Sequence, residues 1–128
     1  MITRYPILEF LSVKVGTYRT VDGKFELELR KNGYDFVLLT KGSPSRSQIY
    51  GVIGVAGENL ELHASMGLPN IITFTWPYAL EETSNVQEIC LRESDEHLSI
   101  GFLFEAESLI FTLTIGGKEK AKYVLQKA

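Results

Sequence analysis

The chain has 128 residues, 45% of them apolar and 23% charged, with a formal net charge of −3. That length encloses one core without staples, that composition is neither disordered nor fibrous, and that charge repels nucleic acid, with no basic stripe to offset it. A single cysteine, Cys90, precludes an internal disulfide and suits a reducing, cytoplasmic setting.

Residues 1–12 are mildly apolar, but Pro6 and Glu9 interrupt them, Arg4 is their one basic residue, and no small-residue cleavage pattern follows. They read as a short helix or plug over one end of the fold rather than a signal peptide. No run of about 18 apolar residues occurs, so no membrane-spanning helix is expected.

From residue 13 onward apolar and polar residues alternate, and turn signals recur at short intervals. Strands are expected near 13–20, 24–31, 34–41, 48–56, 59–65, 70–76, 86–92, 97–104, 109–115 and 120–126. Short sequential connections make this an all-β chain, an antiparallel up-and-down meander in one domain spanning 1–128. Closing the meander into a barrel of about eight to ten strands removes its exposed edges. The segment from Trp76 to Asn85 is a longer connection that Pro77 opens by ending a strand.

Hairpin registers follow from requiring apolar residues to face apolar ones. A turn on Asn32-Gly33 sets Leu29 opposite Phe36, Leu27 opposite Leu38, Phe25 opposite Thr40 and Arg30 opposite Asp35. A Gly57-Glu58 turn sets Val55 against Leu60, Ile53 against Leu62 and Gly51 against Ala64, with Gly54 outside against Glu61 and His63 outside against Val52. A loop from Glu93 to Glu96 sets Leu91 against Leu98 and Ile89 against Ile100. The loop from Glu105 to Ser108 pairs Phe104 with Leu109, Phe102 with Phe111 and Ile100 with Leu113. A three-residue loop, Gly116 to Lys118, sets Leu113 against Ala121 and Phe111 against Tyr123.

The three glycines Gly51, Gly54 and Gly57 look like a phosphate-binding motif but lead into NLELHAS, which alternates as a strand does. A phosphate loop needs backbone N–H groups opening a helix. These glycines therefore bend a sheet, and Gly51 opposite Ala64 makes a thin place in the wall.

No catalytic or metal-binding constellation emerges. His63 and His97 are far from other ligand types in sequence and read as surface residues, and Cys90 falls outward as a structural thiol. Ser43, Ser45, Arg46 and Ser47 form a polar loop. Between Glu81 and Glu107 eight acids face the lone Arg92, a local balance of −7 that reads as a solvated rim or a dock for a basic partner. Val37, Leu39, Val52 and Leu103 point outward, so residues 1–12 or a second subunit is expected to cover part of that surface, and a homodimer is the expected state.

The stretch VGTYRT resembles the Gly-x-aromatic opening strand of the calycins, the superfamily of lipocalins and fatty-acid-binding proteins, and GVIGVAGENLEL resembles the strand-turn-strand of small bacterial lipocalin-like domains. The resemblance covers about Gly16 to Gln126. It implies a cup for a small apolar ligand, with Tyr18 where lipocalins usually carry Trp and Lys122 as the basic side chain that packs over it. TVDG is too short for the helical lid of fatty-acid-binding proteins, and KAKYV lacks their Arg-x-Tyr clamp.

The leading expectation is a non-enzymatic barrel, without cofactor or metal, that binds a small hydrophobic molecule. Its expected lining is Phe25, Leu27, Phe36, Leu38, Phe74, Phe102 and Phe111, with Tyr18 and Tyr123 as polar contacts. Trp76, on the inner face with Ile72 and Phe74, lies at a rim, either as a ligand contact at the mouth or as a plug. The alternatives are a protein-interaction module using the outer sheet and acidic loops, and a barrel isomerase or chromophore lyase. Neither nucleic acid nor a membrane is an expected partner.

Overall fold

A computed structural model describes residues 6–42, 48–67, 70–77, 88–95 and 97–128. One helix, α1 (Pro6–Val13), precedes ten strands: β1 (Gly16–Arg19), β2 (Phe25–Asn32), β3 (Asp35–Gly42), β4 (Tyr50–Ala56), β5 (Asn59–Ser65), β6 (Ile72–Trp76), β7 (Glu88–Glu93), β8 (Leu98–Phe104), β9 (Ser108–Ile115) and β10 (Lys118–Lys127). Each strand pairs antiparallel with the next, and β1 pairs with β10, so the meander closes into a barrel. No helix among the described residues is long and apolar enough to cross a membrane. The loop at Ser43–Ser47, most of the long connection after Trp76, and Glu81, Glu82 and Glu96 lie outside the described residues.

Alternation decides what goes inside. In β8 the even-numbered residues Leu98, Ile100, Phe102 and Phe104 are buried, while the odd-numbered ones are partly exposed. The β4–β5 register is the expected one throughout, from Gly51↔Ala64 to Val55↔Leu60. So is β8–β9, with Ile100↔Leu113, Phe102↔Phe111 and Phe104↔Leu109.

Two hairpins slide by two residues. In β2–β3 the partners are Leu29↔Leu38 and Asn32↔Asp35, so the turn is Gly33-Tyr34, with Gly33 at φ +65° and Tyr34 exposed, rather than Asn32-Gly33. In β7–β8 the partners are Ile89↔Phe102 and Leu91↔Ile100 rather than Ile100 and Leu98. The loop is longer because the Leu98 N–H is satisfied by the Glu93 carboxylate at 3.0 Å. A slip of two keeps every side chain on its face, which is why facing is preserved although partners change.

The β9–β10 hairpin turns on two residues rather than the expected three. Gly116 and Gly117, at φ +59° and +80°, make a two-residue turn with Lys118↔Ile115. An irregularity between Glu119 and Ala121 then advances the register by one, restoring Leu113↔Ala121 and Phe111↔Tyr123. The bulge does what a longer turn would have done.

Helix α1 places Ile7, Phe10 and Leu11 on one face, the i, i+3, i+4 spacing of an amphipathic helix. Ile7 and Leu11 join the buried core. The turn at Lys14, whose N–H donates to the Leu11 carbonyl, feeds the chain into β1.

Candidate functional site

The barrel has two distinguishable ends. At the end bearing the β2–β3, β4–β5 and β8–β9 turns, α1 lies across the opening. Its Phe10 ring meets Phe104 edge-on at 5.5 Å, and Lys14 Nζ donates to the Glu105 carbonyl at 3.4 Å. Tyr18 Oη donates to the Lys14 carbonyl at 2.6 Å. Burial, and then the Glu107 carboxylate, raise the Tyr18 hydroxyl above its ordinary value, so it remains a proton donor.

Inside this end is a cavity of about 10 Å³, near the smallest that seats one water. Leu11 of the helix lines it together with Leu29, Ile53, Leu60, Ile89 and Phe104, among other residues, all of them Leu, Ile or Phe. No side chain there can hydrogen-bond a water or move a proton. Around this cavity the described residues are closely packed, and α1 contributes to the packing.

The expected lining residues all lie within the wall. Phe25, Leu27, Phe36, Leu38, Phe74, Phe102 and Phe111 are buried core. Of these, Leu27, Leu38 and Phe102 border the cavity. Phe25 and Phe111 belong to an aromatic run: Tyr123 stacks on Phe25 at 3.8 Å, Phe25 lies 5.9 Å from Phe111, Phe111 lies 5.4 Å from Phe102, and Phe102 lies 6.1 Å from Phe104. Through Phe104 the run reaches Phe10 of the helix and Tyr18. Trp76 is half-buried opposite Leu60, at the helix end.

Leu29, Ile53, Leu60, Ile89 and Phe104, which the hairpin registers turn inward but the expected lining omits, also border the cavity. The thin place at Gly51 is filled: a Cβ there would sit 2.7 Å from Leu62 Cδ1. Lys122 is exposed on the outer face opposite Thr112. The basic side chain that lies against β1 is Lys127, whose Cε would be 3.0 Å from a Cβ at Gly16.

On the outer face His63 Nε2 is 2.9 Å from Glu61 Oε1, and Thr73 Oγ1 is 3.2 Å from His63 Nδ1. Among the described residues no three of His, Cys, Asp and Glu are grouped so as to hold a metal ion. In the β7–β8 loop, partial burial and the Asp95 carboxyl hold Glu93 above its ordinary value, while hydrogen bonds from His97 N–H and Glu93 lower Asp95. Compared with known proteins, the chain matches no family model, no curated protein and no solved structure.

Proposed function

We propose that this protein binds a small, largely apolar molecule inside its barrel, in the manner of a calycin, and admits it at the end that α1 covers. The observation that carries this reading is Leu11, which projects from an eight-residue helix into an all-apolar cavity. A helix that short is marginal on its own and holds its place only by tertiary contacts. Burying Ile7 and Leu11 contributes about 1.5–3 kcal/mol each, an amount a ligand can offset. Withdrawing them opens a Leu-, Ile- and Phe-lined space, and such a space of about 150 Å³ holds a benzene-sized guest. The lining offers no acid, base or nucleophile, which favours binding over catalysis.

Trp76 stands at the same end and reports on it. Lipid-stripped protein is titrated with benzene-sized aromatic molecules and short-chain fatty acids while its emission is followed. Saturable change, tightened by Leu11→Ala because that variant removes the competing side chain, supports the reading. A response that Leu11→Ala leaves unchanged puts the ligand elsewhere, and no response to any probe in either protein contradicts it.

A second reading, an interaction surface for a second copy, draws on the outer face of β3 and β4. Tyr50 is 59% and Val52 38% exposed beside the partly exposed Val37 and Leu39. A dimer that Leu39→Glu dissociates would support it, whereas a monomer at micromolar concentration would end it.

A further inference from the structure

The barrel's closing seam is short. β10 pairs with β9 along its length, but with β1 only through Tyr18↔Lys127 and Arg19↔Gln126. The cause is β1 itself, which ends at Arg19 and turns back at Thr20, whose N–H donates to the Phe25 carbonyl. β10 therefore runs on past the β1–β2 hairpin. There the wall is closed by side chains, the Phe25 and Tyr123 rings stacked 3.8 Å apart and 1° from parallel. Along Lys118–Lys122, β9 is the only strand neighbour among the described residues.

An edge of this kind invites another strand. Its charge selects which one. The open stretch carries Lys118, Lys120 and Lys122 against Glu119, a local balance of +2 in a protein of net charge −3. Lys118, Lys120 and Lys122 are exposed, and none forms an ion pair among the described residues. Two copies of this edge repel each other, which blocks self-pairing; an acidic strand meets attraction at the same three side chains. Val124, 56% exposed on β10, and Val21, 91% exposed in the turn beyond β1, add apolar contacts beside the seam.

We propose that the β10 edge from Lys118 to Lys122 accepts an acidic, extended segment of a partner protein as an added strand. Main-chain hydrogen bonds supply the affinity, and the lysines and valines supply the choice of partner. The proposal is independent of what the barrel interior holds.

The test uses three labelled, end-capped heptapeptides: glutamate alternating with valine, lysine alternating with valine, and glutamate alternating with proline. The last keeps the charge but cannot complete a strand ladder. Binding is read by anisotropy and its position by amide hydrogen exchange. The expected result is binding of the glutamate–valine peptide alone, with new protection confined to residues 118–122. The Lys120→Glu, Lys122→Glu double variant should lose at least tenfold for that peptide and gain for the lysine one. If that variant misfolds by circular dichroism, the wild-type protection map and the proline control decide. Equal binding of the proline peptide, protection elsewhere, or no binding at millimolar peptide overturns the proposal.

Discussion

Tyr18 and Lys14 are joined by a 2.6 Å hydrogen bond from the tyrosine hydroxyl to the lysine carbonyl, just past the end of α1. The phenol belongs to a wall strand and the carbonyl to the segment that closes the barrel. With the Lys14–Glu105 hydrogen bond, the Phe10–Phe104 contact and the buried Ile7 and Leu11, this bond holds the helix in place. A short helix docked on a barrel's end can open locally without unfolding the wall.

Tyr18→Phe keeps the ring and removes the bond. It should lower global stability by about 0.5–1.5 kcal/mol and raise amide exchange in residues 7–13 more than in β8 or β9. Urea unfolding gives the first quantity and exchange by mass spectrometry the second. Uniform acceleration across the barrel would show that the bond is not a local tie.

Phe25 and Tyr123 close the seam that backbone pairing leaves open. Phe25→Ala should cost about 3–5 kcal/mol. A double-mutant cycle with Tyr123→Ala should return a coupling of about 0.5–1.5 kcal/mol. Additive losses would mean that the rings pack independently and that something else closes the wall.

Gly51 is required by space, and Gly57 by conformation alone. A Cβ at Gly51 would lie 2.7 Å from Leu62 Cδ1 and 2.8 Å from the His63 carbonyl oxygen, whereas nothing lies within 4 Å of one at Gly57, which is at φ +62°. Gly51→Ala should therefore destabilise by about 1–3 kcal/mol. Gly57→Asn, whose side chain tolerates positive φ, should be nearly neutral in the same denaturation assay.

Glu26 accepts from Arg19 Nε at 2.6 Å and lies 3.2 Å from Lys41 Nζ. The hydrogen bond from Arg19, opposed by partial burial and reinforced by Lys41, lowers its pKa. A lowered carboxylate stabilises the fold above its ordinary value, and that stability is lost as pH falls through the lowered one. Glu26→Gln should lower stability modestly at neutral pH, since Arg19 and Lys41 are exposed, leave it unchanged at low pH, and so flatten the acid limb of the stability profile. An unaltered acid limb would assign the acid sensitivity to other carboxylates.

Facing was more legible than pairing. The two-residue period put Phe36, Leu38, Ile100 and Phe102 inside whichever partners they took, because a slip of two costs nothing in burial. The Gly33-Tyr34 turn and the Glu93 cap on Leu98 set the true registers, and alternation does not weigh such local hydrogen bonds and φ preferences. The mildly apolar character of residues 1–12 suggests a short helix or plug, and α1 is that helix from Pro6 onward. That Leu11 enters the cavity is a tertiary fact that no spacing encodes. The seam was also hidden. KEKAKY reads as an ordinary outward-facing lysine pattern until the shortness of β1 is known, and the bulge after Glu119 conceals its register.

The most direct test of the ligand-binding account is amide exchange in α1 with and without a saturating apolar ligand found by the Trp76 titration. The account predicts that ligand abolishes protection at residues 8–12 while protection in β5, β8 and β9 stays or rises, because guest and helix compete for one space. Unchanged or increased protection of α1 at saturation would contradict it, since the helix and the ligand would then occupy different places.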